Sequence, residues 1–120
     1  MRMLDLSEAT TVYLACGATD MRKSINGLTT LVHHSFKADL FSQSLFVFCN
    51  RKQDKLKILT WDHNGFWLYY RRLERGQFRW PKHPSSPTIT ITRRELGWLL
   101  DGLSLEQPDA HLPVTARIVG

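Results

Sequence analysis

The sequence predicts an α+β fold: a curved antiparallel β-meander of about five strands, with one helix before it and one helix after it. Two observations carry this prediction. Short segments rich in β-branched and aromatic residues alternate with turn residues through the middle of the chain. Segments on either side of that region carry apolar residues at helical spacing together with capping residues. We expect both helices to pack on one face of the sheet.

The strands follow one another closely. In chain order, the predicted strands are residues 10–16, 44–50, 55–62, 66–72 and a short fifth strand at 77–81 that ends at a proline. A further segment, TITIT at 88–92, alternates and has the pattern of an edge strand, which would offer an edge for pairing. Both cysteines end apolar runs, which is typical of reduced core residues rather than of a disulfide framework.

The helices have recognisable ends. Thr19 or Asp20 is expected to cap the first helix, whose apolar stripe runs from Met21 to Phe36. For the second helix, Thr92 and Glu95 have the spacing of a capping box, and Gly102 is expected to follow the last turn at Asp101. We therefore expect one globular domain at residues 1–102 and a mobile or surface-laid tail at 103–120.

A hairpin in the centre of the chain has two different faces. If Asn64 and Gly65 form a two-residue turn, Asp62 lies opposite Trp67, Thr60 opposite Tyr69 and Ile58 opposite Arg71. The other face is more apolar and should meet the core. Its members are Leu59, Trp61, Phe66, Leu68 and Tyr70, with Lys57 and Arg72 at the far end. The first face would then expose aromatic rings beside an arginine.

The positive charge is concentrated. The chain of 120 residues has a net charge of +5, yet residues 51–82 alone hold nine basic and three acidic residues. Such a concentration favours a polyanionic partner, usually nucleic acid. Bases stack on exposed rings and guanidinium groups bind phosphates, whereas the structural alternative is cross-strand aromatic pairing with snorkelling arginines. The candidate nucleic-acid-binding residues are Arg22, Lys23, Lys55, Lys57, Trp67, Tyr69, Arg71, Arg72, Arg75, Arg79 and Trp80.

Arg22 and Lys23 are included for a separate reason. They are expected in the first turn of the first helix, where positive charge opposes the helix dipole. The free backbone N–H groups of a helix N-terminus bind phosphate, so these two residues are consistent with a clamp on a nucleic-acid backbone. An ordinary capped helix start explains the same residues equally well.

Four segments together resemble a known family. They are GATDMRKSINGL (17–28), LFVFCNRKQDKLKILTWD (45–62), GFWLYYRRLERGQFRWP (65–81) and ELGWLLDG (95–102). The chain resembles the TnpB accessory proteins of the insertion sequence 66 group of bacterial transposable elements, and GxTDMRK and RLExGxFxWP are the specific motifs. The resemblance implies a protein that supports transposition, while a separate and larger transposase cleaves and joins the DNA. It supplies no catalytic residues.

Enzymatic and metal-binding functions have little support in the sequence. Asp20, Asp62 and Glu74 are the carboxylates that a metal-dependent nuclease would need, but a cap, a turn and an ion pair explain them better. The histidines form no HxH or HxxxH pair, and no cofactor-binding motif occurs. With no signal-peptide layout and no membrane-length apolar run, a cytoplasmic location is expected.

The favoured interpretation is a non-enzymatic accessory factor that binds DNA through the basic, aromatic hairpin, without metal or cofactor. The alternative is a protein-interaction module that bridges the transposase to another element-encoded protein, since Trp, Tyr and Arg also dominate protein interfaces. DNA and the transposase are the expected partners, and a membrane is not. The sequence leaves homo-oligomerisation and the choice between single- and double-stranded DNA open.

Overall fold

The computed structural model describes residues 10–82 and 85–105. Five strands form one sheet in the order β4-β3-β2-β1-β5. The elements are β1 (Thr11–Ala15), α1 (Ile25–Ser35), β2 (Ser44–Cys49), β3 (Lys55–Asp62), β4 (Gly65–Arg72), β5 (Thr88–Ile91) and α2 (Arg93–Leu100). The predicted α+β class is confirmed, with one helix before the β2–β4 meander and one after it.

The sheet is mixed rather than entirely antiparallel. Strands β2, β3 and β4 form an antiparallel meander, but β1 pairs with β2 in parallel through the crossover that contains α1. Strand β5 pairs antiparallel with the other side of β1, so Val12 lies opposite Ile91. The prediction of an edge strand at TITIT is therefore confirmed, and the second edge of the sheet is β4.

Both faces of the sheet are covered, so the prediction of helices on one face is wrong. On the α1 face, Phe46, Phe48 and Leu59 pack against Leu28 and Val32 of α1. On the α2 face, the sheet packs against α2 and against residues 73–80, which follow β4. The buried residues there include Val12, Leu14, Leu45, Val47, Leu56, Ile58, Phe78, Trp80, Leu96 and Leu99. All six residues of β2 are buried, as expected for a strand between two layers.

The predicted strand at 77–81 is not a strand. Residues 73–80 leave β4 and cross over the α2 face instead of pairing beside it. The backbone N–H of Phe78 donates to Gln53 O at 2.6 Å, and that of Trp80 donates to Phe78 O at 3.0 Å. Because Phe78 and Trp80 both enter the core, the alternating pattern reflects an anchored crossing segment rather than a fifth strand in the meander.

The first helix begins later than predicted. Its N-cap is Ser24, and neither Thr19 nor Asp20 caps it. Asp20 instead accepts the backbone N–H of Arg22 at 2.9 Å, which stabilises a turn before the helix. Arg22 and Lys23 therefore lie in this turn and not in the first helical turn, so the predicted clash with the helix dipole does not arise.

The second helix follows its predicted signals. Thr92 Oγ1 accepts the Glu95 N–H at 3.1 Å, and Glu95 Oε1 accepts the Thr92 N–H at 2.8 Å, which completes the capping box. The helix ends at Leu100, and Gly102 adopts φ +79° just beyond it. Leu105 returns to the core, whereas most of the predicted tail, residues 106–120, lies outside the described residues.

Candidate nucleic-acid interface

A basic cleft opens on the α2 face. It lies between the end of α2 and the chain that leaves β4, namely the crossing segment (residues 73–80) and the two residues after it. Its volume is about 1020 Å³. Four cationic side chains line it: Arg71, Arg75, Arg79 and Lys82. All four are exposed, and among the described residues none of them forms an ion pair. Asp101 is the one acidic residue that lines the described cleft. The cleft therefore presents uncompensated positive charge to an anionic ligand.

The crossing segment holds two of these cations at the surface. Gly76 adopts φ +77°, a backbone conformation that residues with a side chain rarely adopt, and it turns the chain back over the sheet. Phe78 and Trp80 then enter the core, and the indole N–H of Trp80 donates to Ala15 O at 2.9 Å. Arg79 lies between these two anchors and stays exposed. The fixed residues of the RLExGxFxWP motif thus hold two of its variable positions, which are Arg75 and Arg79 in this chain, along one wall of the cleft.

The β2–β3 turn braces the same segment. Leu73 N–H donates to Asp54 O at 2.8 Å, and Gln77 Nε2 donates to Lys52 O at 2.7 Å. Asn50 organises the turn, since its Oδ1 accepts the N–H groups of Asp54 and Lys55 at 3.0 and 2.9 Å. The hydrogen bond from Asn50 Nδ2 at 2.7 Å lowers the pKa of the Asp54 carboxyl, and Lys55 lowers it further.

The hairpin register differs from the predicted one by two residues. His63 and Asn64 form the turn, with His63 at φ 56°, so Asp62 pairs with Gly65 and Thr60 with Trp67. A shift of two residues leaves every side chain on its predicted face. Both faces meet a core, however, because Leu56 and Ile58 pack on the face that was expected to be solvent-exposed.

The aromatic residues on that face lead toward the cleft. Trp67 is 52% exposed, and its ring is stacked on Tyr69 with centroids 6.1 Å apart and an interplanar angle of 15°. Tyr69 is half-buried and packs against the core. Arg71 follows two residues later on the same face and lines the cleft. The sequence prediction that Trp67 and Arg71 are exposed is therefore consistent with the structure, whereas Tyr69 is only partly accessible.

Most of the remaining predicted cations, which lie on the opposite face, are engaged within the protein; the exposed side chain of Lys23 has no hydrogen-bond or ion-pair partner among the described residues. Lys57 Nζ donates to Met21 O and Lys23 O, each at 2.8 Å, and so holds the turn before α1. Arg72 Nε contacts Glu74 at 2.9 Å, and Arg22 binds Asp20 at 2.7 Å. Lys55, which follows the same alternation, lies 3.5 Å from Asp54. The predicted single surface is thus divided between two faces of the sheet.

These ion pairs also change the titration of the groups involved. The hydrogen bonds from Arg22 lower the pKa of Asp20 to about 2. Glu74 raises the pKa of Arg72 in turn, chiefly through its side-chain hydrogen bond. Arg22 remains 91% exposed despite its partner, so solvent screens the pair. In contrast to the cleft, most of the predicted cations on this side of the molecule are already paired with carboxylates or carbonyl oxygens.

One predicted contact residue is misplaced. Trp80 was expected to contact nucleic acid, but it is 6% exposed and its N–H is already bonded to Ala15 O. It cannot stack on a base, and its role is to hold the crossing segment. Sequence reasoning missed Lys82, which lines the cleft directly after the proline. Its place in the basic run 51–82 was the available signal.

The carboxylates considered for nuclease chemistry do not converge. Asp20 binds Arg22, Asp62 accepts the indole N–H of Trp67 at 3.2 Å, and Glu74 binds Arg72. Within residues 10–82 and 85–105, no three His, Cys, Asp or Glu side chains cluster closely enough to hold a metal ion. No helix in the same part of the chain is long and apolar enough to cross a membrane.

Comparison with known proteins adds an independent finding. Residues 10–110 match the model of a family described as IS66 Orf2 like protein. Two proteins of Sinorhizobium fredii, named uncharacterized protein y4hO and uncharacterized protein y4jC, are 34% and 33% identical to the chain. The first alignment covers 88% of this chain and 91% of the relative, and the second covers 84% and 86%. No solved structure matches the chain.

Proposed function

Because the chain belongs to the IS66 Orf2-like family, whose members are accessory proteins associated with transposition, we propose that it serves transposition by binding DNA in the basic cleft. This family is not known for enzymatic activity. The binding residues in this proposal are Arg71, Arg75, Arg79 and Lys82. The transposase encoded by the same element would perform the cleavage and joining.

One observation carries the proposal: four exposed cations without ion-pair partners in the described structure converge on a cleft in which Asp101 is the acidic counterpart. Holding like charges together costs free energy unless an anion offsets them. A phosphate backbone supplies such anions at regular spacing, and binding to it releases counterions. On the opposite face most of the candidate cations have partners within the protein, which makes that face the weaker candidate.

The test is a salt titration of the double variant Arg71→Gln/Arg75→Gln against the wild type. Both proteins would be titrated into labelled duplex DNA from the element terminus, with binding followed by fluorescence anisotropy. Each lost phosphate contact is expected to reduce the slope of log K against log salt by roughly 0.9. We therefore expect weaker binding and a slope shallower by nearly twice that amount.

A matched control removes the same charge elsewhere. Lys37→Asn/Arg94→Gln deletes two exposed cations that do not line the cleft, and asparagine suits the φ of 51° at Lys37. This variant should keep the wild-type slope. Equal losses in the two double variants would indicate a non-specific effect of net charge and would overturn the assignment of the cleft. If only the double variant Arg22→Gln/Lys23→Gln bound DNA more weakly, the interface would lie on the α1 face instead.

A second function has its own supporting observation. Phe41 is 59% exposed on the α1 side and contacts Trp61 edge-on at 4.9 Å, while Trp61 contacts Phe66 at 4.9 Å. Exposed aromatic clusters are typical anchors of protein interfaces. The alternative is therefore a module that bridges the transposase to another element-encoded protein. Capture of the transposase after nuclease treatment, abolished by Phe41→Ser while DNA binding is retained, would favour this function.

A further inference from the structure

We propose that Trp67 is a stacking platform for an unpaired base, and that the surface from Trp67 to the basic cleft binds a short single strand of DNA. This inference rests on the proposed function and specifies the form of DNA that the site takes. Its basis is the order of residues along one face of β4, where Gly65, Trp67, Tyr69 and Arg71 succeed one another.

The outer side of Trp67 is open. Tyr69 stacks on one side of the indole, whereas the neighbour on the other side along the strand is Gly65. A Cβ atom placed on Gly65 would meet no atom within 4 Å. The space over Gly65, on the side of Trp67 away from Tyr69, therefore holds no protein atom within that distance, and a flat ring can enter it. Gly65 has an ordinary backbone conformation, so its lack of a side chain is not required by the turn.

The indole ring is also held in place. Its Nε1–H donates to Asp62 Oδ2 at 3.2 Å, and Asp62 lies at the end of the neighbouring strand. With Tyr69 on one side and this hydrogen bond at its edge, the ring loses little further freedom when a base stacks on it. Preorganisation of this kind lowers the entropic cost of binding.

The cations lie at a distance that suits a nucleotide chain. Same-face residues along a strand are separated by roughly 6.6 Å, so Arg71 lies about 13 Å beyond Trp67. A base on Trp67 therefore leaves the following phosphates over Tyr69 and Arg71, in line with Arg75, Arg79 and Lys82 in the cleft. This arrangement of rings followed by cations is typical of single-strand binding surfaces.

Duplex DNA cannot use the Trp67 platform in the same way. Its bases are stacked and paired, so a base must leave the helix before it can contact the indole, which costs a few kcal/mol. A single strand, a frayed end or an overhang presents its bases without that cost. We therefore expect single-stranded DNA to bind more tightly than a duplex of equal length and equal salt.

The experiment compares a labelled oligothymidylate with a duplex of the same length for wild type, Trp67→Ala, Trp67→Phe and Gly65→Leu. Loss of one stacked base should weaken oligothymidylate binding roughly 5- to 150-fold in Trp67→Ala. Trp67→Phe should retain much of the affinity. Gly65→Leu fills the open space while leaving the indole intact, so it should also weaken single-strand binding without altering duplex binding.

The matched control is Tyr70→Ala, which removes an equally exposed ring, 53% accessible, from the opposite face of the same strand. It should leave oligothymidylate affinity unchanged. Oligothymidylate should also quench the tryptophan fluorescence of the wild type more than that of Trp67→Phe, while circular dichroism confirms that each variant is folded. If the wild type binds the duplex as tightly as the single strand, or if Gly65→Leu binds normally, the platform is wrong although the cleft stands. Absence of any DNA binding would instead remove the proposed function itself.

Discussion

At the scale of single residues, Trp80 is the clearest anchor in the molecule. Replacing it with phenylalanine keeps an aromatic ring but removes the N–H that binds Ala15 O in the core. A buried carbonyl group without its donor costs about 1–3 kcal/mol, so we expect Trp80→Phe to lower the free energy of unfolding by that amount in a urea titration. Trp61→Phe is the control, since no hydrogen bond joins the Trp61 indole to the described residues; it should cost clearly less.

Cys49 provides a second prediction at this scale. The thiol is fully buried in β2, and burial raises its pKa to about 12 from 9.0. At pH 8 only roughly one thiol in ten thousand is then ionised. We expect iodoacetamide to modify the half-buried Cys16 first, and Cys49 only at the rate of unfolding. Mass spectrometry of the labelled peptides measures both rates, and rapid labelling of Cys49 in the folded protein would contradict its burial.

The raised pKa of Cys49 also determines the direction in which stability changes at alkaline pH. Because the folded-state pKa of Cys49 lies above the unfolded value, the neutral thiol favours the folded state below pH 9. This contribution is lost progressively as the pH rises from 9 through about 12. In Cys49→Ala, the part of the stability loss that comes from ionisation of this thiol should therefore be absent, whatever the variant's overall stability.

At the scale of elements, the β2–β3 turn determines the position of the cleft wall. Asn50→Ala removes the hydrogen bonds that its side chain forms with the N–H groups of Asp54 and Lys55, with the Asp54 carboxylate and, weakly, with the Cys49 thiol. We expect the unfolding free energy to fall by about 1–3 kcal/mol and DNA affinity to fall with it, because the turn also binds residues 73–78. The measurement pairs a denaturant titration with the binding assay at a temperature where the variant is folded.

The variant Asn50→Asp tests the direction in which this turn makes stability change with pH. It retains an oxygen acceptor but places a second carboxylate 2.7 Å from that of Asp54. Repulsion raises the pKa of this pair in the folded state, so the variant should be least stable at neutral pH. It should recover as the pH falls through the raised pKa toward the unfolded value of about 4. The wild type should do the opposite, because the lowered pKa of Asp54 favours folding above the unfolded value and is lost in acid.

Elements with strong local signals were predictable from sequence. The capping box of α2 was predicted correctly, because Thr92 and Glu95 are only three residues apart in the sequence and need no tertiary contact to form it. The start of α1 was not, since Asp20 suits a turn as well as a helix cap and only the bonds to Arg22 decide between them. The predicted position of the hairpin turn was wrong for a similar reason. Both His63–Asn64 and Asn64–Gly65 suit a two-residue turn, and in the structure His63 adopts the positive φ.

At the scale of the whole molecule, two covered faces were missed although a signal existed. The uninterrupted apolar run of β2 is typical of a strand buried on both sides, and it outweighs the alternation seen in β3. The cleft itself had no local signature. Its cations come from β4, from the crossing segment and from the chain beyond Pro81, so only the tertiary path of residues 73–82 shows which of them share a surface.

The parallel pair at the centre of the sheet has a consequence for how the chain folds. Strands β2, β3 and β4 are linked by short turns and are able to pair as soon as they are synthesised. Strand β1 gains its second neighbour only when Ile91 of β5 reaches Val12. Such distant pairings are slow because the chain entropy is lost before the contacts form. On the ribosome, the meander is therefore expected to assemble first, whereas β1 completes its pairing only after β5 has been synthesised.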